Sequence, residues 1–254
     1  MPCPFACFHN MKRFYLTIGG IPIEARCRYD LIREKCADYI TDTAPADALV
    51  MEATDRDLQI ARDWFRNVEG REISDAEAEF DRAPYTLYPH LPSRNAFWLH
   101  ACAVEMDGAA YAISAPSGYG KTTQTKLWRQ VYGDALHVIN GDNPIIVERG
   151  GDFLVCGTPF CGKEGWHLPT AAPLRGVCFL LHSNANHLRR LDPAQAVMRL
   201  LRDNPYAAGK ALEPHLTLYE RFAARVPMYA LYCNTEPEAA IVAYEGMKKG
   251  AMES

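Results

Sequence analysis

The chain has 254 residues, 48% of them apolar and 23% charged, and 27 basic against 31 acidic side chains leave a formal net charge of −4. That length allows one large or two small domains with a sizeable core, and the near balance of charge, without a long basic run, argues against a nucleic-acid binder. No apolar stretch approaches the roughly 18 residues of a membrane span, and Met1–Asn10 lacks the basic-then-apolar order of a secretion signal, so a cytoplasmic protein with no membrane partner is expected.

In chain order, Phe14–Ala25 is two β-prone runs around Gly19-Gly20, a dipeptide suited to a tight hairpin because both residues tolerate positive φ. Asp30 is placed to cap a helix with Leu31, Ile32, Cys36, Tyr39 and Ile40 at helical spacing. Thr54 with Asp57 predicts a second helix start, with Leu58, Ala61, Trp64, Phe65 and Val68 on one core-facing side. Phe80–Pro92, with its prolines, reads as a loop or crossover. Phe97–Met106 and Ala109–Ser114 read as a hairpin turning at Asp107-Gly108. The second strand runs through Ala115-Pro116-Ser117-Gly118-Tyr119-Gly120 into a helix beginning at Lys121. Strands are expected at His137–Ile139, Ile145–Val147, Phe153–Cys156 and Val177–Leu181. Asp192-Pro193 marks one further helix start and Thr235 with Glu238 another, the latter as a capping box.

The nine cysteines, an odd number spread from Cys3 to Cys233, read as reduced thiols of a cytosolic protein. Cys3 and Cys7 form a spaced pair, but without a second pair at matching spacing they make a poor zinc site. Cys156 and Cys161 read as small fillers, a redox role being the less favoured option.

The segment Ala115–Thr122 carries the strongest chemical signal. It matches a phosphate-binding loop with Ala115 where the first glycine is usual. Such a loop needs small residues so that its N–H groups can turn inward on phosphate oxygens, and it needs a helix N-terminus aimed at the anion. Ser117, Gly118, Tyr119, Gly120, Lys121, Thr122 and Thr123 are therefore the expected nucleotide contacts. Lys121 would reach the β and γ phosphates, and the Thr122 hydroxyl would ligate Mg²⁺. Asp142, at the end of the next apolar strand, can face Mg²⁺ or accept a hydroxyl proton; the plainer reading is an Asp-Asn turn, since Asn140-Gly141 is itself a turn signal.

These residues, from His100 to Lys163, resemble the HPr kinase/phosphorylase family and the related phosphoenolpyruvate carboxykinases. Ser117–Thr122 is similar to the family's phosphate loop, Gly141-Asp142 to the first half of its acidic pair, Leu99-His100 to its upstream histidine, and Gly157–Lys163 to a loop of small kinase-like relatives. The likeness runs from about residue 95 to 185. Asn143 departs from the pattern by standing where the second acid belongs. Carboxykinases are much longer chains, and no separate lobe for oxaloacetate is evident, so phosphoryl transfer to a hydroxyl is the better inheritance.

The resemblance implies a catalytic set of Asp142 as base, His100 tuning it or contacting phosphate, and Lys163 neutralising charge on the γ-phosphoryl group, with ATP and Mg²⁺ as cofactors and Thr122 and Asp142 as metal ligands. The acceptor would be a serine of a peptide or protein, or a small metabolite, and the resemblance implies a homo-oligomer. A second reading is a nucleotide-binding regulatory or assembly protein that keeps the fold and has lost transfer, motivated by Asn143. Glu164, Arg175, Arg189 and Arg190 are weaker candidates for substrate contact, as are the polar cluster His182, Asn184, Asn186 and His187 and the ring of Trp166. The expected fold is a single α/β domain with a mixed, partly antiparallel sheet and a P-loop core like that of the two families. Residues 95–254 are the kinase-like core, on which 1–94 pack as a further α/β region.

Overall fold

The computed structural model describes residues 11–204 and 212–252. Cys3 and Cys7 lie outside them. The chain divides into two compact units, Met1–Leu87 and Tyr88–Ser254.

In the first unit, β1 (Lys12–Ile18) and β2 (Ile21–Cys27) form the expected hairpin, with Gly19 and Gly20 at φ of 59° and 76°. Leu16, Ile18, Ile21, Ile23, Ala25 and Cys27 are buried at period two, as a half-covered sheet requires. The hairpin is flanked by β3 (Ile40–Thr41) and β4 (Leu49–Met51) in the order β3-β1-β2-β4. The first helix is short: α1 spans Leu31–Lys35, and Asp30 makes no side-chain cap. By contrast Thr54 and Asp57 close a full capping box on α2 (Asp55–Trp64). The backbone then widens into a π-helical turn over Phe65–Glu69, which breaks the 3.6-residue register and leaves Val68 exposed; Trp64, just before the turn, is exposed too, so neither faces the core as expected. A second capping box, Ser74 with Glu77, opens α3 (Asp75–Arg82). The proline-rich run that followed as a loop in sequence is a train of 3-10 turns over Ala83–Arg94.

The second unit holds one nine-stranded sheet. Its strands are β5 (Ala96–Trp98), β6 (Ala101–Met106), β7 (Ala109–Ser114), β8 (His137–Asn140), β9 (Ile145–Arg149), β10 (Asp152–Cys156), β11 (Ala171–His182), β12 (His187–Arg190) and β13 (Met228–Cys233). The main path runs β5-β9-β10-β11-β7-β6-β8, with β13 beside β11 and β12 beside β13. β11 is parallel to β7 and to β13, and the other pairings are antiparallel, which is the mixed α/β arrangement expected.

Helices cover both faces of this sheet. On one face α5 (Pro193–Asp203) and α6 (Leu212–Arg225) bring Ala196, Leu200, Leu218, Tyr219 and Phe222 onto Phe97, Phe153, Val177 and Phe179. On the other, α4 (Lys121–Tyr132) and α7 (Glu238–Met252) bring Leu127, Trp128, Ala243, Tyr244 and Met247 onto Tyr111, Ile113, Cys178 and Leu231. Burial of these apolar faces, at about 25 cal/mol per Å², is the main force holding the layers together.

One local expectation fails in this unit. The capping box at Thr235 does not form, because α7 begins only at Glu238, whose carboxylate accepts from the Asn186 side chain. The polar exit expected after β11 is present as the short turn 183–186, after which the chain returns as β12 with Arg189 and Arg190 on the strand. Among the described residues seven cysteines are all buried and unpaired as disulfides, and no helix is long and apolar enough to cross a membrane.

Candidate functional site

The site is built where three chain segments end. The strand expected over Phe97–Met106 is interrupted: β5 pairs with β9, β6 pairs with β7, and Leu99-His100 is the step between them. The main-chain N–H groups of that step and the His100 carbonyl are all engaged. Leu99 N donates to Pro144 O at 3.0 Å, Ala101 N to Asp142 O at 2.9 Å, and His100 N to Asn204 Oδ1 at 2.6 Å, while Ser114 Oγ donates to His100 O at 3.0 Å. His100 is thus tied by main chain to the segment carrying Asp142 and through its carbonyl to the end of β7.

The second segment is the Ala115–Gly120 loop, which joins β7 to α4. Gly118 and Gly120 adopt φ of 74° and 107°, a region that side chains with a Cβ avoid. Among the described residues no acceptor meets the amides of these two glycines. Lys121 opens α4, and its stem is buried. Its ammonium donates to Ala115 O at 3.2 Å, lies 2.7 Å from His100 Nε2 and lies 3.4 Å from Asp142 Oδ1. Thr122 and Thr123 follow in the first helical turn, half-buried and exposed respectively.

The third segment is the turn after β8. Asn140 is fully buried, and its Oδ1 accepts the main-chain N–H groups of both Asp142 (2.8 Å) and Asn143 (2.7 Å). Its Nδ2 donates to the Thr158 carbonyl and hydroxyl, and that hydroxyl donates to Asn143 O. The turn expected from Asn140-Gly141 is present, and it is this Asn-centred turn that presents Asp142. Asp142 Oδ1 lies 3.4 Å from His100 Nε2, and Asp142 Oδ2 accepts from Asn143 Nδ2 at 2.8 Å. Burial pushes the Asp142 carboxyl up, but the His100 contact and the Lys121 charge outweigh it, and the group is held below the usual aspartate range. It is therefore an anion at neutral pH.

The Gly157–Gly165 loop folds back over this turn. Gly162 has φ of 78°, and a Cβ there would stand 3.1 Å from the Asp142 Cβ. Trp166 O accepts Gly141 N at 2.9 Å. Glu164 pairs with Lys126 at 3.9 Å and the Trp166 ring lies under Arg129, both on α4. Lys163 follows Gly162 directly and is exposed.

Of the residues singled out in sequence, Lys121, His100 and Asp142 meet within hydrogen-bonding or ion-pair distance, and Ser117–Gly120 and Thr122 adjoin Lys121 along the chain. Arg175 instead pairs with Asp152 at 3.3 Å, and Arg189 bonds Gln195 at the surface. His182 ends β11 and stacks on Tyr119, while His187 stacks on Tyr232. Cys156 is buried, its thiol pushed up to about 11 by burial, which keeps it a poor nucleophile. Sequence reasoning missed Asn140 as a scaffold, together with Thr158, Ser114 and Asn204. The Asn-Gly-Asp order after a strand was a usable signal for the first; nothing local pointed to Asn204.

For a metal, no three His, Cys, Asp or Glu side chains gather among the described residues. The Asp142 carboxylate is engaged by His100 and Lys121 at Oδ1 and by Asn143 at Oδ2.

No protein-family model and no curated protein matches the chain. Among solved structures, the HPr(Ser) kinase/phosphatase from Coxiella burnetii is similar at 9% identity with a TM-score of 0.36, over 61% of this chain and 94% of that one. The likeness is distant and of fold only.

Proposed function

We propose that the chain is an ATP-dependent kinase that transfers the γ-phosphoryl group to a hydroxyl, on a peptide or protein serine or on a small metabolite. The observation that carries this reading is the convergence of Lys121, His100 and Asp142 at the mouth of a strand–loop–helix whose glycine amides lack acceptors among the described residues. An ionised carboxylate beside a lysine that can release it to a polyphosphate is a donor–acceptor arrangement suited to phosphoryl transfer.

In this reading the loop amides and Lys121 hold the polyphosphate by charge-assisted hydrogen bonds. Asp142 accepts the proton of the acceptor hydroxyl as its oxygen bonds the γ-phosphorus, and the bond from that phosphorus to the β–γ bridging oxygen breaks with its electron pair leaving on ADP. His100, which contacts both Lys121 and Asp142, sets the distance between them. Thr122 and Asp142 would hold Mg²⁺, which when bound neutralises charge on the phosphates. Lys163, one residue past the glycine that rests on Asp142, is within the loop that would cover the transferring group.

One observation favours a second reading, a nucleotide-binding protein without transfer. Asn143 stands where the resemblance calls for an acid, and its amide occupies Asp142 Oδ2. Incubation with γ-labelled ATP and Mg²⁺ in a fractionated cell extract separates the two. Label in a protein band or a small-molecule fraction, lost in Asp142→Asn while ATP binding survives, supports the kinase. ATP binding with no labelled product in any fraction supports the second reading.

A further inference from the structure

We propose that the Tyr119–His182 ring pair is the platform on which the base of a nucleotide stacks while its phosphates occupy the Ala115–Gly120 loop. The proposal rests on the reading of that loop as a polyphosphate site and adds to it the part of the ligand that is recognised.

The two rings are parallel to within 3° with centroids 4.1 Å apart, and His182 Nε2 lies 3.2 Å from the Tyr119 carbonyl oxygen. Both side chains are exposed, Tyr119 to 36%. An exposed tyrosine between two glycines has little packing to fix it; here one stack and one hydrogen bond fix it instead. The same bond orients the loop. A trans peptide points its C=O and N–H in opposite directions, so a Tyr119 carbonyl bound to His182 turns the Gly120 N–H away from the imidazole. One histidine therefore holds both the ring and the peptide that follows it.

Location agrees with this use. His182 is the last residue of β11, and β11 is the parallel neighbour of β7, the strand that feeds the loop. Ligands of α/β sheets gather outside the carboxyl ends of parallel strands. A ribose and one phosphate separate a base from a β-phosphate, and Tyr119 stands two residues before Lys121, so the platform lies at the end of the loop where a base would emerge. A planar base extends a parallel stack because its π-face is complementary to an offset ring, and stacking tolerates any base while favouring the larger purines.

The experiment is calorimetric titration of the whole chain with Mg-ATP and, separately, with magnesium tripolyphosphate, which has the phosphates and no base. The wild type is expected to bind ATP more tightly than tripolyphosphate. Tyr119→Leu is expected to weaken ATP by about tenfold, the size of one lost base stack, with tripolyphosphate unchanged. His182→Gln retains an amide donor for the Tyr119 carbonyl and is expected to weaken ATP less, again sparing tripolyphosphate. Equal weakening of both ligands in Tyr119→Leu would overturn the platform and leave Tyr119 a shaper of the loop. Equal wild-type affinity for both ligands, unaltered in either variant, would place the base elsewhere. A wild type that binds neither ligand would overturn the polyphosphate reading and the platform with it.

Discussion

Asn204 Oδ1 accepts the main-chain N–H of His100 at 2.6 Å across 104 positions of sequence. Asn204 is the C-cap of α5, the residue just past Asp203, where its own N–H still donates to Leu200 O. A helix end on one face of the sheet therefore fixes the strand break that carries His100 toward Lys121 and Asp142. Asn204→Ala strands the His100 N–H without its acceptor, at a cost of about 1–3 kcal/mol. The expected outcome is a lower urea midpoint and a moved imidazole resonance of His100. A midpoint equal to that of the wild type would mean that the bond is not kept in solution.

The Asp142 carboxyl gives a pH dependence of definite sign. Burial alone would raise it, yet the His100 contact and the Lys121 charge hold it below the ordinary value of about 3.9. A depressed folded-state pKa contributes stability that is complete above the unfolded value and is lost as pH falls through the folded one. Lys121→Met removes the positive partner and leaves the burial, so the Asp142 carboxyl will titrate higher in that variant. The difference in unfolding free energy between wild type and Lys121→Met is thus expected to be larger near pH 7 than near about pH 3. Urea titrations at the two pH values measure it, and a constant difference would show that the two groups do not interact.

Asn143 can be tested in the other direction. Its Nδ2 donates to Asp142 Oδ2 at 2.8 Å, so Asn143→Asp exchanges a donor for a second carboxylate at contact distance. Two carboxylates so close resist joint ionisation. The variant is expected to melt at a lower temperature than the wild type in chelator. Mg²⁺ should then raise its melting temperature more than that of the wild type, because an ion that binds only the folded state stabilises it. Thermal scans with chelator and with Mg²⁺ decide the matter, and equal Mg²⁺ responses would refute it.

Sequence carried the site further than it carried the scaffold around it. Both glycine-turn hairpins, the strand–loop–helix at Lys121 and the strand ending before Asp142 are local patterns, and local patterns survive folding when backbone geometry and apolar period agree. The step at Leu99-His100 is not marked in sequence by any Gly, Pro or turn dipeptide within Phe97–Met106; the break is imposed by β9 pairing with one half and β7 with the other. Val68 was misplaced because a π turn changes the helical period without any change in residue type. Asn204 and Thr158 were unreadable for a different reason, since a buried amide or hydroxyl is defined by what it touches, and those partners are far away in sequence.

Two glycines of one loop separate strain from contact. Gly162 and Gly165 have φ of 78° and 68°, but a Cβ on Gly162 would stand 3.1 Å from the Asp142 Cβ, while none of the surrounding atoms lies within 4 Å of one on Gly165. Each alanine substitution pays the left-handed backbone strain of roughly 1–2 kcal/mol. Only Gly162→Ala also presses on the Asp142 side chain, whose main chain is held by Asn140, so that side chain must shift by a few tenths of an ångström. Similar modest losses of stability are therefore expected for both variants, with a further loss in Gly162→Ala. Phosphoryl transfer, once an acceptor is in hand, should fall in Gly162→Ala and stay near wild type in Gly165→Ala. Equal transfer rates in the two variants would show that the loop's contact with Asp142 has no bearing on the chemistry.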